Sequence, residues 1–284
     1  KQSLYNFLNL FLLPFHDLEN LRAQFHKSFS EMHYGNKCFS FSSGRSSLYA
    51  CLEAAGIGEN DEVLMSSFTC LAVPTAVVAL GATPKYCDID LNNMNLDMDN
   101  IESHISEKTK AIIIQHTLGS VVSMEEIKKL KNNNLIVIED CALAIGSTHD
   151  NKLVGTFADA AIYSFELSKT VSCGWGGVLL VNNRELEQKV KKNYAKVKEL
   201  SFKKSLRMSL QVSICGILYS PYIYSIGKYI VSLLFKLGLF SPSTPEGELE
   251  GSVEEDFVCK MPKSLINLAN KQILRFYKIK AAHS

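Results

Sequence analysis

The run Leu135-Ile-Val-Ile-Glu-Asp140 decides the fold. Four consecutive apolar residues lead into two acids. A strand that is apolar on both faces must be covered on both, as in a parallel sheet flanked by helices. Ala111-Ile-Ile-Ile-Gln-His116 lies upstream and repeats the pattern. Further strands are read at about 62–67, 84–89, 160–166 and 176–182. Helical spacing is read between them at about 46–55, 70–80, 98–105, 123–132 and 184–197. Gly56-Ile-Gly58 and Gly81-Ala mark helix ends. This alternation predicts a three-layer α/β domain with a mostly parallel central sheet.

The chain has 284 residues, 46% of them hydrophobic, and a formal net charge of +1. That is enough for one large core plus a smaller part. Acids and bases are interspersed, so nucleic acid is not an expected partner. The eight cysteines are scattered without C-x-x-C spacing. No metal site is expected, and a reducing, cytoplasmic setting fits. Residues 1–38 read as a helical lead-in and 39–200 as the main domain. Residues 201–260 form an apolar helical insertion closed by an acidic, Pro/Gly-rich loop at 241–256, and 261–284 hold a last helix at about 264–280. Met208–Gly227 carries no charge, a length that suits a membrane span. Gln211, Gly216, Pro221 and the serines point instead to a buried or interfacial hairpin. Peripheral membrane contact through 208–240 stays open.

Chemistry concentrates at the strand ends. Lys169 is the one lysine between Lys152 and Lys189, five residues after Ser164, with Gly174-Trp-Gly-Gly177 following. A lysine in a desolvated cleft has the lowered pKa that a Schiff base needs. Asp140 ends a buried strand at the edge where open α/β sheets place ligands. A carboxylate there can pair with a pyridinium nitrogen, or cap the next helix. Glu139 alternates to the other face and reads as structural. Ala142 is small enough to lie under a flat ring. In Ser42-Ser-Gly-Arg-Ser-Ser-Leu48, Gly44 permits a tight turn, and Arg45 and Ser46 stand at a helix start that binds phosphate or is simply capped by serine. His116 shares the edge with Asp140, for cofactor, substrate or packing. Isolated lysine, hydroxyl and strand-end carboxylate together read as a site for pyridoxal phosphate.

In these stretches the chain resembles the DegT-type sugar-nucleotide aminotransferases, fold type I enzymes. Ser43-Gly44 before a helix, Gly56-Ile-Gly-Glu-Asn-Asp-Glu-Val63, Ser67-Phe-Thr69 and Gly81–Asp90 carry the resemblance. So do His116-Thr-Leu-Gly119, Glu139-Asp-Cys-Ala142, Gly155-Thr-Phe-Ala-Asp159 and Ser164-Phe-x-x-x-Lys169. The resemblance implies that Lys169 is the covalent anchor of the cofactor and Asp140 the partner of its ring nitrogen. Ser164 and Gly44–Ser46 would hold its phosphate. It also implies glutamate as donor, a nucleotide-linked keto-sugar as acceptor, a surface-polysaccharide or related pathway, and a homodimer. A C-terminal small domain is implied too, with 261–284 as its incomplete beginning. Cys70 stands where an aromatic ring contact is usual, Leu143 where Gln or His is, and Ile145 where a second His is. The same resemblance also admits a dehydratase, which typically replaces the lysine by His, or a non-catalytic scaffold subunit.

Overall fold

The computed structural model describes residues 18–131, 135–242 and 256–283. The first part of the helical lead-in and most of the acidic loop fall outside them. Helix α1 (Leu18–Met32) precedes β1 (Lys37–Phe41), α2 (Gly44–Ala55), β2 (Glu62–Ser66), α3 (Ala72–Val78) and β3 (Thr83–Cys87). Then come β4 (Thr109–Gln115), α4 (Met124–Lys131), β5 (Ile136–Asp140), the short pair β6 (Thr148–His149) and β7 (Lys152–Leu153), β8 (Ala160–Ser164) and β9 (Gly177–Val181). Helices α5 (Arg184–Tyr194), α6 (Phe202–Leu218), α7 (Tyr224–Lys236) and α8 (Lys263–His283) complete the described chain.

Seven strands form one sheet in the order β1-β9-β8-β5-β4-β2-β3. Neighbours from β8 through β3 are parallel, whereas β9 is antiparallel to both β8 and β1. Six strands therefore run one way and β9 alone runs against them. The continuous apolar runs are explained by two cores. Ile112, Ile114, Val137, Ala161 and Tyr163 enter the core beneath α1 and α8. Their neighbours Ala111, Ile113, Ile138, Ala160 and Ile162 enter the other, with Leu48 and Leu52 of α2. Each buried Ile contributes roughly 1.5–3 kcal/mol relative to exposure, so a polar substitution on either face of these strands is costly. Phe25 and Phe29 of α1 pack edge-on against Phe165, and Phe29 likewise against Tyr163.

One local reading differs. The helix expected at 98–105 is a single 3-10 turn, Ile101–His104. Asp97 accepts from the Asp99 amide and the Asn100 side chain, and Ser103 donates to the Asn100 carbonyl. Such short polar side chains compete with the helical ladder. The hairpin β6–β7 turns on Asp150 and Asn151, both at positive φ, as a two-residue hairpin requires. The apolar 208–240 region is a helical hairpin, α6 then α7. Among the described residues no helix is long and apolar enough to cross a membrane.

Candidate functional site

The carboxyl edge of the parallel strands collects the polar residues. Asp140 is the last residue of β5 and Ser164 the last of β8. Ser164 and Phe41 both pair with Gly177 of β9, so the turn leaving β1 comes to lie beside Ser164. Two glycines permit the approach. A Cβ on Gly44 would lie 3.1 Å from Ser164 Cβ and 3.4 Å from its Oγ. A Cβ on Gly177 would lie 2.3 Å from the Ser43 carbonyl oxygen and 2.5 Å from the Gly44 nitrogen. Helix α2 starts at Gly44, capped by Ser43, whose Oγ accepts from the Ser46 amide at 3.1 Å. A helix N-terminus held against a serine hydroxyl is a cradle for an anion.

This cradle opens into a cleft of about 260 Å³ whose wall includes Gly44, Arg45, Cys70, Asp140, Ala142, Ser164, Lys169 and Trp175. Phe68, Thr69, Gln115 and Leu143 extend it beyond Cys70, Asp140, Ala142 and Lys169. Lys169 is half-buried in a turn closed by its amide on the Glu166 carbonyl at 3.0 Å. Among the described residues its Nζ makes no hydrogen bond. The nearby Glu166 carboxylate accepts instead from the amide and hydroxyl of Ser168. Asp140 is 6% exposed. Burial pushes its carboxyl above the usual range, opposed by the Ala142 amide on Oδ1 at 2.9 Å and by the charge of Lys169. The cleft thus pairs an unbonded amine with a desolvated acid, beside a site for phosphate. These features fit pyridoxal phosphate.

Two residues expected at the cofactor lie elsewhere. His116 is fully buried beneath the cleft. Its Nδ1 accepts from the Val122 amide at 3.2 Å, so Nε2 carries the proton and donates to Glu139 at 3.0 Å. Both ring nitrogens are committed to the fold. Ser46 turns its hydroxyl away to donate to the Phe257 carbonyl at 2.6 Å, and it also meets Ser42 and Ser43. Glu139 is structural as read. It accepts from the amides of Gly155, Phe157 and Ala158 at 2.7–2.8 Å. The sequence alone assigns no site role to Ser43 and Trp175, which line the cleft, nor to the close approach at Gly177. The signal for the last was the Gly174-Trp-Gly-Gly177 run, which nothing about a plain strand requires.

A sheet with one reversed strand, β9 beside β1, and a ligand cleft at the carboxyl edge of the others is the large-domain architecture of fold type I pyridoxal-phosphate-dependent proteins. Within that class the chain belongs to the DegT/DnrJ/EryC1/StrS aminotransferase family, whose model matches residues 18–216. GDP-perosamine synthase of Escherichia coli O157:H7 is 39% identical over 168 residues, 59% of this chain and 46% of the relative. The chain spans a little under half the length of the curated relatives it matches. Bacillus subtilis NtdA with bound cofactor PMP superposes with a TM-score of 0.60 and 30% identity, covering 67% of this chain and 44% of that one. An aminotransferase from Psychrobacter cryohalolentis shares the fold over 91% of this chain and 57% of its own, with a TM-score of 0.66 and 24% identity. Pyridoxal phosphate is the cofactor of this family.

Proposed function

We propose that the protein is an aminotransferase that moves an amino group from glutamate to a keto group on a nucleotide-linked sugar, for surface polysaccharide or related glycan synthesis. The carrying observation is that Lys169, Asp140 and the Gly44–Ser164 cradle face one cleft. The E. coli relative has a nucleotide in its name, which supports that substrate class. Retention of Lys169 disfavours the dehydratase reading, in which this lysine is replaced.

Bound pyridoxal phosphate supplies an electron sink that lets an amino group leave one carbon and join another. The residues of the chain then divide the work. The α2 N-terminus, Arg45 and Ser164 hold the phosphate. Asp140 would hold the pyridine nitrogen protonated, its own ionisation sustained against burial by the Ala142 amide and the positive charge of Lys169. Lys169 anchors the cofactor through Nζ. With the cofactor bound, Lys169 Nζ would take a proton from the donor Cα and return one to the sugar carbon, acting as base and then acid. Ala142 leaves room for the ring, and Cys70 stands at the mouth. Two chains working as a homodimer complete this reading.

The test incubates the purified chain with pyridoxal phosphate, glutamate and a panel of nucleotide keto-sugars, and follows amino-sugar formation by mass spectrometry. The expected product forms with wild type and not with Lys169→Ala. Wild-type protein that gains no visible absorption with the cofactor would sink the reading.

A further inference from the structure

We propose that the α6–α7 hairpin is an anchor for the surface of anionic phospholipid membranes. The hairpin is inverted relative to an ordinary surface helix pair. Most of its fully buried positions are small or polar: Ser209, Gln211, Ser213 and Cys215 of α6 and Gly227 of α7 are buried, with Val231 the apolar one. They are satisfied within the protein. Ser209 donates to the Ser205 carbonyl and Ser213 to the Ser209 carbonyl, and Gln211 exchanges two hydrogen bonds with the Ser241 backbone. At Gly227 a Cβ would lie 1.9 Å from the Leu218 carbonyl oxygen, so the two helices touch backbone to backbone.

The outward positions are large and apolar. Ile226, Ile230, Leu233 and Leu237 recur at helical spacing along α7 and are 67%, 40%, 54% and 62% exposed. Tyr222 and Tyr229, near the hairpin tip, are 96% and 70% exposed. Monomer surfaces rarely leave so contiguous a patch in water. A ring with an apolar body and a hydroxyl tip is suited to the headgroup layer.

Charge selects the occupant. Residues 201–241 contain five bases and no acid. Lys204 pairs with Asp256 at 2.7 Å, and Arg207 donates to the carbonyls of Gly238 and Leu239. Lys203, Lys228 and Lys236 remain exposed along the patch. A second copy would set this basic face against itself, whereas an anionic bilayer complements it. Length fixes the depth. Seventeen residues of α6 and thirteen of α7 span roughly 26 and 20 Å, short of a hydrocarbon core of about 30 Å. The hairpin therefore lies in the interface rather than crossing. Seated there, it keeps catalysis near the lipid surface, because Lys204, Arg207 and Met208 of α6 share a cavity with Arg45 and Trp175 of the cofactor cleft.

Vesicle flotation tests this with the whole chain and does not depend on turnover. Wild type is expected to float with phosphatidylglycerol-containing vesicles, to float weakly with pure phosphatidylcholine, and to be released by 0.5 M salt. Ile226→Asp with Leu233→Asp should abolish flotation. Lys228→Gln with Lys236→Gln should weaken it about thirtyfold, since each basic residue near an anionic surface contributes about fivefold. Circular dichroism melting establishes that both variants are folded. Absence of wild-type flotation, equal flotation with neutral vesicles, or unchanged flotation of both variants overturns the proposal. A dimer that Ile226→Asp with Leu233→Asp dissolves, without any flotation, assigns the face to a second copy and overturns it as well.

Discussion

Gly177→Ala puts the cofactor cradle to its sharpest test. The added methyl meets the Ser43 carbonyl oxygen at 2.3 Å, the Ser43 carbonyl carbon at 2.4 Å and the Gly44 nitrogen at 2.5 Å. All three are backbone atoms, so no side chain can swing aside. Ordinary contact requires the β1–α2 turn to retreat by about 1 Å. That turn carries the amides proposed to hold the phosphate, and Ser164 on the neighbouring strand stays behind. A charge-assisted hydrogen bond is worth about 1.5–3 kcal/mol. Losing the alignment of one such bond weakens pyridoxal phosphate binding roughly tenfold to a hundredfold. Overpacking of about 1–3 kcal/mol lowers the melting temperature by several degrees.

Gly56→Ala is the matched control. Gly56 caps α2 at φ 85°, and a Cβ there meets nothing within 4 Å. The left-handed strain costs about 1 kcal/mol at the far end of the same helix. Titration of the visible cofactor absorption and thermal melting are to be run on both variants. Gly177→Ala should lose affinity and Gly56→Ala should not, although both melt earlier. Wild-type affinity in Gly177→Ala, or parallel loss in both, would refute the argument that this close approach builds the phosphate site.

Lys169→Ala should bind the cofactor without the absorption of the lysine-linked form, read by spectrophotometry before and after borohydride reduction and mass analysis. Asp140→Asn should abolish turnover yet raise the melting temperature of the cofactor-free protein at pH 7. Burial raises the Asp140 pKa, so the wild type loses stability as pH rises from the unfolded value through the folded one. An amide removes that loss and still accepts from Ala142. A scan from pH 4 to 8 in which the variant melts no higher than wild type at pH 7 would contradict this. His116→Ala should lower the melting temperature by removing one donor to buried Glu139, at a cost of roughly 1.5–3 kcal/mol. Cofactor affinity per folded molecule should stay unchanged, as measured by titration.

The parts of this fold that were legible are those in which one physical demand governs each residue. Ala111–Ile114 and Leu135–Ile138 must be apolar on both faces because two cores meet there, and their order alone implied the parallel sheet. The shared cleft of Asp140, Ser164 and Gly44 was legible because strand ends and glycines place backbone predictably, and Lys169 follows Ser164 by one turn. Ser46 and His116 were not. Each carries a side chain that can bond either toward the cleft or into the protein. The choice depends on the Phe257 carbonyl and the Val122 amide, which are distant in sequence from Ser46 and beyond the strand end for His116. The outward apolar face of α6–α7 was half legible. Hydropathy marked the hairpin, but only tertiary packing reveals that Ser209 and Ser213 point inward and Ile226 and Ile230 outward.

Glu139 and Asp140 show why a strand end serves for such chemistry. Successive side chains on a strand point to opposite faces. Two adjacent carboxylates therefore receive different solvation without any change in backbone. Glu139 receives three amides and His116, a donor set that holds a buried carboxylate and ties the 155–158 loop beneath the cleft. Asp140 receives one amide and otherwise faces the cleft. Its burial is under-compensated, and that deficit makes a positively charged ring nitrogen a favourable neighbour. The first carboxylate is fixed by four donors, whereas the second keeps one. A fold that satisfied both acids equally would leave nothing at this edge for a cofactor to complete.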